Sequence, residues 1–349
     1  MKFRNFGLVF LLFVMLYNVN SCQTLRPQQV QKQSVGTLIL FSSDRDNRNA
    51  IYTMPTDGKS VTELDFNQLP AGLTIDQPTW SNNLKKYFFS GFINKQSDLF
   101  SINQNGSDLK NLSNTPGIFE GNPVLSPDNK YIAYLSVEYG PQIALMETNG
   151  SNRKLLTEFA GENGNLQWSP DSQRIYFTSN RYGTPNIFFI NVDGTGLTNV
   201  SKGNGLDASY SLSPNGEKLV FDSDRDGAMD IFVVDSSGGT ATNITKNPAR
   251  DAEPLWSPDG NNIAFRSDRD GTWDVFVMKS DGTSPKNLTK KFNLNPTTVV
   301  WMPDSENLLV TAQVNNQSEI FLLPIDGSDP INLTNNPAND YGAVPIQIK

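Results

Sequence analysis

An all-β fold built as a single ring of four-stranded blades is what this sequence predicts, and three observations predict it. Gly, Pro, Asn, Asp, Ser and Thr are abundant and evenly spread, while charged residues make up only 18% of the 349, the composition of many short strands joined by tight turns. A Trp/Leu-Ser-Pro-Asp centre recurs every 43 to 45 residues, and a fixed period of that length marks a repeat architecture. Within each period four short strand candidates are separated by turn dipeptides, which is the content of one β-propeller blade.

The chain opens with an address. Lys2 and Arg4 form a basic segment ahead of the twelve-residue apolar or Gly run Phe6 to Tyr17, which is signal-peptide geometry. A bilayer-spanning helix needs about 20 apolar residues, so the run is too short for a permanent anchor. Val19-Asn20-Ser21-Cys22 follows. It resembles the bacterial lipobox, with an aliphatic residue three before the Cys and a small residue just before it. The resemblance implies that residues 1–21 are removed and that Cys22 becomes the lipidated first residue, which accounts for the single cysteine of a secreted chain. Residues 22–35 are then the lipidated Cys and a polar, flexible tether, and 36–349 the propeller. With Gln23 after the Cys, lipoproteins of this kind in a Gram-negative cell go to the outer membrane, facing the periplasm.

The repeat is clearest in Pro254 to Thr289 set against Leu166 to Ser201. A first strand ends at Trp-Ser, where Pro stops the ladder and Asp-Gly or its equivalent makes a turn. A second strand follows, as in Ile263-Ala264-Phe265. The loop Ser-Asp-Arg-Asp-Gly leads to a third, such as Ile231-Phe232-Val233-Val234, and another Asp-Gly or Asn-Gly turn precedes a fourth ending in Leu-Thr or Ile-Thr. These residues resemble the WD40-like repeats of TolB-type propellers over residues 36 to 349. One departure matters: nothing in this chain corresponds to the separate N-terminal domain of TolB itself, so the resemblance does not carry a whole role in the Tol system with it.

The ends set the blade number. Thr37 to Leu64 supplies second, third and fourth strands with no first, whereas Ala343 to Ile348 falls where a first strand belongs. Seven blades follow, closed by N-terminal strands pairing with a C-terminal strand, which removes open sheet edges. A six-bladed ring with one unit displaced is the alternative.

Strand alternation places the Ser-Pro-Asp and Asp-Gly turns on one face and the Ser-Asp-Arg-Asp-Gly loops with the blade-crossing loops on the other. This loop face gathers Asp44, Asp46, Asp224, Arg225, Asp226, Asp268, Arg269 and Asp270, with Arg45, Arg181 and further acids including Asp76, Glu120, Asp207, Asp251, Glu253 and Asp340. It is the expected partner-binding site; the competing reading is that these side chains satisfy loop backbone and pair between blades. Asp222, Asp224, Asp226 and Asp230 form a D-x-D-x-D-G-x-x-D run that could surround Ca²⁺, although Val233 stands where an EF-hand has its Glu and the sister loop has Arg266 in place of Asp222. No other cofactor is expected. The Asn-x-Ser/Thr triplets at Asn111, Asn199, Asn243, Asn287 and Asn332 coincide with the repeat's strand ending and read as architecture. Trp80, Trp168, Trp256 and Trp301 read as core, and Trp273 as the one exposed Trp.

One absence and the charge balance bound the function. The chain contains no histidine, which excludes Ser/His/Asp and Cys/His centres, a histidine general base and the commonest zinc sites. A net charge of −8 argues against nucleic acid as a partner. The expected function is a non-catalytic, monomeric cell-envelope scaffold that touches the membrane only through its lipid and presents the acidic face to a protein or peptide. The alternatives are a glycan or small-ligand binder and, as an enzyme, a carboxylate-dependent carbohydrate-active protein.

Overall fold

The computed structural model describes residues 36–348 apart from 48, 49, 65, 67, 68, 139, 159, 160 and 293. The expected signal peptide, Cys22 and expected tether lie outside the described residues. Among those described, the strands form seven four-stranded antiparallel sheets and no α-helix. Blade 1 joins the two ends of the chain: its first strand is Asp340–Ile348, and its second, third and fourth are Gly36–Ser43, Ala50–Pro55 and Thr62–Glu63. Gly36 pairs with Ile348 and Ser43 with Asp340, so the C-terminal strand closes the ring, starting three residues earlier than its apolar run suggests. The first strands of blades 2 to 7 are Thr74–Ser81, Phe119–Leu125, Asn163–Trp168, Asp207–Leu212, Asp251–Trp256 and Asn295–Trp301.

The core is distributed as seven clusters, one between each pair of successive blades. Ile39, Phe41 and Met54 of blade 1 meet Met302, Leu309 and Ile320 of blade 7, and Leu40 and Ile51 of the same blade meet Tyr87 and Phe89 of blade 2. The alternation of side chains along each strand makes this possible, because every blade buries both of its faces. The middle strands therefore read as unbroken apolar runs, such as Ile187-Phe188-Phe189-Ile190, all buried.

First strands touch first strands of neighbouring blades, which places them innermost, around the central channel. Each carries a register shift near its start, for example between Asp207 and Tyr210 or between Gly121 and Val124. At this bulge Asn122, Asn165 and Glu253 have φ of 55°, 50° and 54°, a left-handed conformation that Asn tolerates better than most residues. Glu253 at that position is held by its contacts: its N–H donates to Asp222 of blade 5 (2.8 Å) and its carboxylate accepts from Arg266 (2.9 Å).

Candidate functional site: the loop face and channel mouth

The Ser-x-Arg unit of the second-to-third-strand loop folds back on its own blade. In blade 5 the Arg225 Nη2 donates to both oxygens of Asp207 (2.9 and 3.0 Å) and Nε donates to Ser223 Oγ (2.9 Å). Its guanidinium lies 4.9 Å from the Phe221 ring centre and 5.0 Å from that of Phe232. Blade 6 repeats the arrangement with Arg269, Asp251, Ser267, Phe265 and Phe276. Blade 1 uses Arg45, Asp340 and Ser43, and blade 4 uses Arg181 with Asn163 in place of the acid. Asp207, Asp251 and Asp340 are fully buried. The arginines singled out on the sequence are thus internal fasteners, each pairing a buried acid or amide at the start of the first strand.

The loop carboxylates are similarly engaged. Asp44, Asp224 and Asp268 accept the backbone N–H of Asn339, Leu206 and Arg250, which lead into the first strands. Asp226 and Asp270 accept from the Asn243 and Asn287 side chains, and Asp46 accepts from the Tyr52 hydroxyl. The Asn339 side-chain and backbone donors hold Asp44 below the usual carboxylate range. Burial pushes Asp268 upward, but the Arg250 N–H and guanidinium outweigh it and bring the carboxyl down. Asn287 and Lys290 lower Asp270 in the same way.

The four acids of the candidate calcium loop do not converge. Asp222 points inward and accepts the N–H groups of Ala208, Ser209 and Glu253. Asp230 binds Asn243 and Thr245, while Asp224 and Asp226 turn to Leu206 and Asn243. Among the described residues no three Asp, Glu or Cys side chains lie close enough to hold a metal ion. Asp230 instead explains the recurring triplets: Thr245 Oγ1 donates to it and accepts from Ile231 N–H, and Thr289 does the same between Asp274 and Val275.

Blades 2 and 7 lack the long loop. Their second and third strands are joined by Asn94-Lys95 and Asn315-Asn316, all four residues with φ between 52° and 66°, the conformation of a tight two-residue hairpin. Ile75 and Pro296 stand where the other blades place the paired acid or amide. Blade 3 has no loop arginine either, and Arg153 from the approach to its fourth strand takes the place, meeting Glu120 Oε1 at 2.7 Å and Ser136 Oγ at 3.2 Å.

The loop face is therefore two-sided in chemistry. Blades 1, 5 and 6 carry the charged loops. Blades 2 to 4 expose Phe92, Phe119, Val137 and Tyr182, the last 73% exposed. Phe119 and Val137 are cross-strand partners, and Ser97, opposite Phe92, donates to the carbonyl of Glu120 beside Phe119, so these apolar groups share one arc. Sequence reasoning missed this arc; the short Asn-Lys hairpin and the absence of Arg from the blade 3 loop were its signals. Trp168 and Trp301 are buried as expected, whereas Trp80 and Trp256 are only partly buried against the interblade clusters. Trp273 is half-buried between the guanidinium groups of Arg250 and Arg266, 5.0 and 5.1 Å from its ring, so it is not a free platform.

A cleft of about 630 Å³ opens on the inner strands of blades 1 and 2, lined by Trp80, Tyr341, Asp76 and neighbouring prolines. A closed ring of seven four-stranded blades with a two-sided loop face and a channel cleft is a β-propeller. The family model described as TolB beta propeller domain matches residues 120–243 and 200–342, and the chain belongs to that family. Over 151 residues it is 24% identical to the Tol-Pal system protein TolB of Wolinella succinogenes, covering 41% of this chain and 35% of that protein; the match spans about a third of the relative's length. Solved structures share the fold. TolB from Acinetobacter baumannii superposes with a TM-score of 0.56 at 19% identity, over 85% of this chain and 78% of that one. An oligogalacturonate lyase in complex with manganese gives 0.66 at 15%, over 82% and 85%. A puromycin-hydrolyzing peptidase of Mycobacterium tuberculosis gives 0.70 at 13%, over 86% of this chain and 52% of that one.

Proposed function

We propose that the chain is a non-catalytic scaffold of the bacterial cell envelope that offers the loop face of its propeller to a protein or peptide partner. The observation that carries this reading is the division of that face: an exposed apolar arc on blades 2 to 4 beside charged loops on blades 1, 5 and 6. Apolar anchors bordered by polar and charged groups are what protein contact patches use. The absence of histidine and the internal engagement of the loop carboxylates support a binding role over a catalytic one. The Tol-Pal name of the relative supports an envelope setting.

In this reading residues 1–21 direct export, Cys22 carries the lipid, and 22–35 tether the propeller of 36–349 to the outer membrane on its periplasmic side. Gly36 starts its strand at the turn face, opposite the loop face. The test is crosslinking capture of the membrane-anchored protein from its native envelope, wild type against a variant with Asp224, Asp226, Asp268 and Asp270 as Asn. Enrichment of an envelope protein that the variant loses supports the scaffold and its charged loops. No enrichment with either would redirect the assignment to a glycan or small-ligand binder, and turnover on a glycan panel to a carboxylate-dependent enzyme.

A further inference from the structure

The cleft on the channel wall has a chemistry unlike the rest of the inner surface. At the first-strand position just before the bulge, blades 3, 4 and 6 carry Gly121, Gly164 and Ala252; blade 1 carries Tyr341 and blade 2 Asp76, opposite Ser42 and Ser90. Two neighbouring blades thus place a phenol ring and a carboxylate where blades 3, 4 and 6 place Gly or Ala. Asp76 is exposed, and among the described residues it makes no hydrogen bond or ion pair, in contrast to the loop acids. Asp76 stands one residue beyond Ile75, the position that the loop arginines pair in other blades, and so lies outside that fastening scheme.

Around Asp76 the walls are mostly apolar, with Pro78, Trp80, Pro123, Val344, Pro345 and Tyr341 beside the polar Ser42, Thr79, Asn82 and Gln347. Trp80 is fixed there, its ring 4.7 Å from that of Tyr87 and its Nε1 donating to the Gln347 carbonyl (3.1 Å). No Lys or Arg lines the cleft. Its volume falls within the range of about 300–1,000 Å³ usual for ligand sites, and a mostly apolar wall with one convergent charge is their usual composition. Burial, with Asp44 and Asp76 nearby, raises the Tyr341 hydroxyl above its ordinary range, as a locally negative site does.

From this we infer that the channel cleft between blades 1 and 2 binds a small organic cation, an ammonium group on an apolar or aromatic body, with Asp76 as counter-ion and Trp80 and Tyr341 as aromatic walls. An ammonium over an aromatic face gains from the ring quadrupole as well as from the carboxylate. The inference does not rest on the protein-partner reading, since it concerns a small ligand in the channel cleft and neither the apolar arc nor the charged loops of blades 1, 5 and 6.

Isothermal titration of the full chain with phenethylamine, which is protonated at neutral pH, is the test, set beside the neutral isostere 2-phenylethanol and the anion 3-phenylpropionate. Saturable binding of the amine is expected, at least tenfold tighter than the alcohol, with no binding of the anion. Asp76→Asn should weaken the amine at least tenfold and leave the alcohol unchanged, while Asp226→Asn, on the charged arc, should change neither. Tyr341→Leu, which keeps an apolar wall without the ring, should weaken the amine severalfold. Absence of saturable amine binding, equal affinity for amine and alcohol, or indifference to Asp76→Asn overturns the inference. So does a short lysine peptide that binds through Asp76 when the amine does not.

Discussion

Arg225 and Asp207 are held together by two hydrogen bonds from one guanidinium nitrogen, 2.9 and 3.0 Å long, with the acid fully buried and the guanidinium over the stacked rings of Phe221 and Phe232. The pair ties the loop face of blade 5 to the innermost strand. Removing one member of a buried ion pair leaves an uncompensated charge, which costs about 3–5 kcal/mol. Arg225→Ala should therefore lower the unfolding free energy by that amount in urea titration. Asp207→Asn should cost much less, because blade 4 already pairs Arg181 with the amide of Asn163 at 3.0 Å. Equal losses for the two variants would show that charge, and not hydrogen bonding, holds the loop.

That pairing also marks how far the sequence could be read. The four-stranded unit, the blade number and the closing strand were legible because Trp-Ser-Pro-Asp recurs at fixed spacing and because the two ends carry complementary fragments. The fate of Arg225 and Arg269 was harder. Their partners Asp207 and Asp251 lie 18 residues earlier, a distance bridged only once the first strand is laid beside the second. The recurrence of that offset in Asn163 and Arg181 is the signal that reveals it. The apolar arc was harder still: its signals were departures from the repeat, the short Asn94-Lys95 hairpin and the missing loop arginine of blade 3, and the exposure of Phe92 and Phe119 emerges only once the strands are placed.

Threonine in the recurring triplet is a second fastener. Thr289 Oγ1 accepts from Val275 N–H (3.0 Å) and donates to Asp274 (2.7 Å), with Thr289 and Asp274 both buried. Thr289→Val preserves shape but strands both partners, and an unmade buried hydrogen bond costs about 1–3 kcal/mol. Thr289→Ser should keep most of the stability, as Ser201 keeps the bond to Ile187 N–H in blade 4. Thermal unfolding of the two variants separates lost bonding from lost volume.

Asp222 gives an acid-side signature of the opposite sign to the loop acids. Burial raises its carboxyl above the ordinary value, against the pull of the Glu253, Ser209 and Ala208 N–H groups. Its folded form therefore holds a proton in a window where the unfolded chain has released it, and its contribution to stability falls as pH rises through that window. Asp268, lowered in the fold, contributes stability that is present above the ordinary carboxylate value and lost as pH falls through its depressed one. Compared with wild type, Asp222→Asn should show a steeper loss of stability on acidification and Asp268→Asn a shallower one, measured by chemical unfolding across the acid range.

Calcium offers a clean negative expectation. The carboxylates of Asp222, Asp224, Asp226 and Asp230 each accept from donors within the protein, and Ca²⁺ needs six to eight oxygens converging on one point. Millimolar Ca²⁺ should leave the thermal unfolding midpoint unchanged and release no heat in titration. A saturable heat lost in Asp224→Asn would instead mean that the loop rearranges around the ion.

The two arcs of the loop face make separable claims on a partner. Tyr182 stands 73% exposed, its ring 5.7 Å from Phe188, and Phe92 and Phe119 are 45% and 48% exposed. None of the three is needed to fill an interblade cluster, so changing all three to Ser should leave the unfolding midpoint within a few degrees of wild type. Aromatic anchors supply most of the energy in protein interfaces, whereas exposed charges act on association rate and are screened by salt. Under the proposed function, capture of an envelope protein by the triple variant should accordingly fall more than tenfold at any salt concentration. Capture by the variant with Asp224, Asp226, Asp268 and Asp270 as Asn should fall at low salt and approach wild type at high salt. The reverse pattern would place the binding energy on the charged loops and reduce the apolar arc to incidental exposure.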